Sequence, residues 1–171
     1  MRWLLVLAVV FAARPADACG FFRMSDRERK LDIGWLINSA SIEKDGKRLA
    51  ALYLDIEAKT GLRVVTSKTV IYDIRGDKVL RYGAAVGRVD GDKVTFGKKT
   101  YAIDLQRNAK PQHEGLADYQ LLVKRGDDVI VEADHASALC AAMKRGDDED
   151  ADKQEIRRRI IYYLEWRELG M

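Results

Sequence analysis

Across residues 31–133, apolar and polar side chains alternate with a period of two, in short stretches separated by glycine and aspartate. In a strand, successive side chains point to opposite faces, so this period predicts half-buried antiparallel strands and excludes an all-helical chain. Leu52, Leu54 and Ile56 oppose Tyr53, Asp55 and Glu57. Tyr101, Ile103 and Leu105 oppose Ala102 and Asp104, and Tyr119, Leu121 and Val123 oppose Gln120 and Lys124. Further strands are predicted over residues 31–42, 62–65, 69–74, 79–89, 94–96 and 129–132. About nine strands result. Within residues 79–89, Val89 breaks the alternation set by Leu80, Tyr82, Ala84 and Val86, which marks Gly87 as a candidate bulge.

A small motif recurs between these runs: Gly76-Asp77-Lys78-Val79, Gly91-Asp92-Lys93-Val94 and Gly126-Asp127-Asp128-Val129. Glycine accepts positive φ and aspartate bonds nearby backbone N–H groups, so the motif predicts hairpin turns in a meander. Its unequal spacing excludes a propeller or solenoid of fixed period. Ser25 with Glu28 makes a capping pattern, read as a short turn before the first strand.

The pattern becomes helical at Asp134. That residue caps a predicted helix over residues 134–146, with Ala136, Leu139, Cys140 and Met143 on one face and Gly146 as its stop. Asp152 with Glu155 opens a second helix over residues 152–168, striped by Ile156, Ile160, Tyr163 and Leu164. The arginines Arg157, Arg158 and Arg159 are consecutive, so they spread around the helix and predict a solvated charged face, with the apolar stripe docked on a sheet.

The first eighteen residues have another purpose. Arg2 and Trp3 precede an apolar run over residues 4–13, and Ala16-Asp17-Ala18 supplies a small-residue cleavage pattern. This is the layout of a secretory signal peptide, and its run is too short to span a bilayer as a helix. The mature chain then begins at Cys19, in a periplasmic or secreted setting. Cys19 and Cys140 are the two cysteines, and an oxidising compartment predicts a disulfide between them. A lipid on Cys19 is the alternative, disfavoured by Ala16 and Asp17 before it.

The expected architecture is α+β: an antiparallel β-meander of about eight or nine strands, barrel-like or strongly twisted, with two C-terminal helices, in one domain over residues 19–171. The chain carries 30 Lys and Arg against 27 Asp and Glu, too even a balance for a nucleic-acid binder. Arg-Gly-Asp occurs at residues 75–77, 125–127 and 145–147, where turn and helix-stop chemistry account for it. Residues 147–152 place acids at alternate positions, but Lys153 and Arg159 occupy the glycine and glutamate positions of a calcium loop, so a solvated linker is predicted.

His113 and His135 are the only histidines, and they stand at no metal-ligand spacing. No local signature of a zinc, hydrolase or nucleotide site occurs, so no catalytic residue, cofactor or metal is assigned. The function expected is an exported, non-catalytic binding or envelope module that holds an apolar ligand or a protein partner. The alternative is a small exported hydrolase with a dispersed site around His113 or His135, for example His113 with Glu114 and Asp118. An enclosed apolar cavity favours the first, and a cleft gathering a histidine with carboxylates favours the second.

Overall fold

A computed structural model describes residues 22–36, 39–55, 63–65, 72–112, 117–137 and 149–168. The alternating segments form twelve antiparallel strands of one sheet. The first five are β1 (Phe22–Asp26), β2 (Leu31–Leu36), β3 (Ser39–Lys44), β4 (Lys47–Asp55) and β5 (Arg63–Val65). Then come β6 (Tyr72–Arg75), β7 (Lys78–Arg81), β8 (Ala84–Asp90), β9 (Lys93–Phe96) and β10 (Lys99–Arg107). The last two are β11 (Tyr119–Arg125) and β12 (Asp128–Ala136), and the one described helix, α1, is Glu149–Glu168.

The strands pair antiparallel, but two long predicted strands are each a hairpin. Residues 31–42 turn between β2 and β3, where Leu36 faces Ser39. Residues 79–89 turn at Tyr82 and Gly83, both at positive φ (51° and 81°). All three Gly-Asp motifs sit at two-residue hairpin turns, with Gly76, Gly91 and Gly126 at φ near 60°. Positive φ at the first turn position matches the right-handed twist of the flanking strands.

Spatial order runs β5-β4-β3-β2-β1-β12-β11-β10-β9-β8-β7-β6. The first strand therefore pairs with the last, and the edges β5 and β6 are consecutive in the chain. No ladder joins those edges among the described residues, so the sheet is not closed into a barrel. The expected count of eight or nine strands is thus corrected to twelve, and the barrel-like form to an open, curled sheet.

The two-helix expectation is also corrected, because Asp134, His135 and Ala136 continue β12 as strand. Their outer neighbours on the sheet supply backbone partners that a helix start would forgo: Ala136 faces Phe22 on one side and Tyr119 on the other. The remainder of that predicted helix lies outside the described residues. Residues 149–152, expected in a linker, form the first turn of α1, where Glu149, Asp150 and Asp152 suit the positive end of the helix dipole.

Strands from both halves of the sheet reach α1. Tyr72 of β6 stacks on Tyr162 with centroids 5.9 Å apart, while Arg159 lies 5.9 Å from the Trp35 ring of β2. Arg81 of β7 pairs with Glu165 at 3.1 Å, Lys99 of β10 with Glu168 at 2.6 Å, and the Tyr163 hydroxyl donates to Asp26 of β1. The sheet consequently curls around the helix and buries it on every side from Arg159 to Arg167. No solvated face exists there. Its charged members are covered because each has a partner: Arg159 reaches Glu155 at 3.1 Å, and Arg167 reaches Asp26 at 2.7 Å.

Cys19 and Cys140, between which a disulfide is expected, both lie outside the described residues. Among the described residues, β1 is tied to the C-terminal part of the chain by the β1–β12 ladder and the Asp26–Arg167 pair. Residues 1–18, expected to be a leader, also lie outside the described residues.

Candidate site at the β12 bulge

The site begins with an irregularity in a central strand. Tyr119 and Leu121 of β11 face Ala136 and Ala133, so three steps of β12 oppose two of β11. On the other side Phe22 and Ser25 face Ala136 and Glu132, four steps against three. One extra residue in β12 interrupts the alternation, and Asp134 and His135 are both exposed. Bulges re-aim side chains in this way, at the cost of a broken ladder. Asn108 repairs the break, its Nδ2 donating to the Asp134 carbonyl at 2.8 Å.

His135 is held by a residue from the neighbouring connection. Asp118 lies just before β11 with a side chain 2% exposed, and its Oδ2 is 2.9 Å from His135 Nδ1. The same oxygen accepts the Gln112 backbone N–H at 2.7 Å. Burial works to raise the Asp118 carboxyl, but the hydrogen bonds from Gln112, His135 and Asn108 outweigh it and hold the group below its ordinary value. An ionised carboxylate accepts at Nδ1, so a neutral His135 carries its proton there and leaves Nε2 as a lone-pair acceptor.

His135 lines an open cleft of about 400 Å³ together with Arg23, Met24, Ser25, Asp32, Gln112, Glu132 and Asp134. Arg23 pairs with Asp32 at 3.2 Å, and Arg27 pairs with Glu132. A second cleft, about 320 Å³ and lined by Arg107, Asn108, Ala109, Pro111 and Ala117, lies on the same β10–β11 connection. Among the described residues, no three His, Cys, Asp or Glu side chains are grouped to hold a metal ion. No described helix is long and apolar enough to cross a membrane.

Of the residues singled out from sequence, His135 is in the cleft, on a strand and not at a helix start. His113, Glu114, Cys19 and Cys140 lie outside the described residues, as does the third Arg-Gly-Asp triplet. In the first two triplets the arginines are engaged, Arg75 with Asp73 at 2.8 Å and Arg125 with Glu28. Asp118 was paired in sequence with His113; its pairing with His135, seventeen residues on, left no local signal. No protein family matches the chain, and neither a curated protein nor a solved structure is similar to it.

Proposed function

We propose that the protein is an exported binding module that receives a polar segment of a protein partner in the His135 cleft. The observation that carries this reading is the β12 bulge, which turns two polar side chains outward from a central strand and fixes one of them through buried Asp118. The apolar-ligand version loses its support, because the concave face of the sheet is filled by α1, whose residues from Ile160 to Arg167 are all buried. The leader supports a periplasmic or secreted location, and intact mass of the exported protein tests it. A chain beginning at Cys19 is expected, an added diacylglyceryl mass identifies a lipid anchor, and a chain retaining Met1 contradicts cleavage.

Amide NMR of the folded protein tests the site. Millimolar tetrapeptides with acidic, basic and neutral polar side chains should shift the Arg23, Ser25, Asp134 and His135 amides, while palmitate should leave the spectrum unchanged. Palmitate-induced shifts at residues facing α1, with none from any peptide, contradict the reading.

A further inference from the structure

Asp118 and His135 do more than shape a surface. The buried carboxylate fixes the imidazole through Nδ1, and the bulge places the ring beside a cleft of about 400 Å³, room enough for a small acyl group. A buried carboxylate that holds a histidine sets both its tautomer and its ring orientation, as the base of a hydrolytic site requires. Side chains able to hydrogen-bond a carbonyl oxygen stand in the same cleft at Arg23, Ser25 and Gln112.

We propose that His135 acts as a general base in the cleft and that Asp118 is its positioning residue, the substrate class being small carboxylic esters. This rests on the cleft being the ligand site and adds a reaction to it. Nε2 removes a proton from a water molecule as the water oxygen attacks the ester carbonyl carbon. The tetrahedral intermediate then collapses, the acyl C–O bond breaks, and the leaving alkoxide takes the proton from the imidazolium. Ester and water become carboxylic acid and alcohol, with the imidazole returned to its neutral form and no oxidant or second reactant consumed.

The experiment is hydrolysis of p-nitrophenyl acetate by the full folded chain, compared with N-acetylhistidine methylamide and with His135→Gln, His113→Gln and Asp118→Asn. A positioned general base contributes roughly 10²-fold or more. The wild type should show saturable turnover about 10²-fold faster than the free imidazole, the same cut being made by His135→Gln, while His113→Gln retains the rate. His135 is 43% exposed, so its glutamine variant tests chemistry with little effect on packing. Asp118→Asn should lower kcat and displace the pH–rate profile, a change that loosening the fold alone does not produce. A wild-type rate equal to that of His135→Gln, or of the free imidazole, overturns the proposal. If peptides still shift the cleft amides in that case, binding at the cleft survives and the reaction alone is lost.

Discussion

Arg167 near the end of α1 donates from Nε to Asp26 Oδ2 at 2.7 Å, and neither side chain is more than 2% exposed. The two residues lie 141 positions apart, one ending the first strand and the other close to the end of the only described helix. Tyr163 donates to the same carboxylate oxygen, and Glu28 takes another Arg167 nitrogen. Burial raises the Tyr163 phenol well above its ordinary value, and the neighbouring Asp26 charge raises it further, so it remains a donor. The pair ties the helix to β1, while a buried pair of this kind adds little net stability over well-packed apolar residues of similar volume.

Removing one partner therefore leaves an uncompensated buried charge. Arg167→Ala should cost about 3 to 5 kcal/mol in urea unfolding, and the double variant Asp26→Leu with Arg167→Met should lose less than either single truncation. Equal or additive losses contradict the role assigned to the pair.

Burial around the whole of α1 distinguishes two adjacent arginines. Arg159 is fully covered against Trp35 and Glu155, whereas the Arg158 side chain is 39% exposed. Leu164→Ala should cost about 2 to 5 kcal/mol. Arg159→Ala should be clearly destabilising, and Arg158→Ala should fall within about 0.5 kcal/mol of wild type. A helix with one solvated face would make both arginine variants mild.

Much of the sheet was legible in the chain because tight turns carry their own chemistry. Each Gly-Asp motif marked a hairpin, and the alternation in β10 and β11 named the residues that face the core. The hairpin at residues 82–83 was hidden because tyrosine at positive φ is rare and carries no turn signature. The turn between β2 and β3 was signalled only by a change of phase, from buried Ile33 and Trp35 to buried Ala40 and Ile42. β1 was missed because Ser25 and Glu28 suggested a cap, whereas Asp26 accepts the Arg29 N–H at 3.0 Å and closes the turn after the strand. Arg159 read as part of a solvated face because the Trp35 ring of β2 that covers it becomes its neighbour only in the assembled fold, and the partners of Glu165 and Arg167 on β7 and β1 likewise left no local signal. The bulge and the Asp118–His135 contact are likewise products of pairing between strands.

Gly87 lies beside the irregular step of β8, where Val79 and Leu80 face Gly87 and Ala85. A Cβ there would come within 2.5 Å of the Phe96 ring and 2.8 Å of the Thr95 carbonyl oxygen. Gly87→Ala should cost about 1 to 3 kcal/mol by overpacking. Phe96→Leu should relieve part of that loss in the double variant, which thermal unfolding of the four proteins measures.

The lowered carboxyl of Asp118 makes an acid-side prediction. A group whose folded value lies below its unfolded value of about 3.9 contributes stability above that value and loses it as pH falls through the folded value. Asp118→Asn should therefore cost about 1 to 3 kcal/mol at neutral pH, and its unfolding midpoint should fall less steeply than wild type in acid. Parallel acid profiles for the two proteins contradict this contribution.

The Asp118–His135 contact underlies both the proposed binding site and its proposed chemistry, and the imidazole nitrogens report on it directly. Long-range ¹H–¹⁵N correlation of the neutral His135 ring should show a proton on Nδ1 and a bare Nε2, with that preference lost in Asp118→Asn. A neutral ring protonated on Nε2, or one whose tautomer is indifferent to Asp118, contradicts the account.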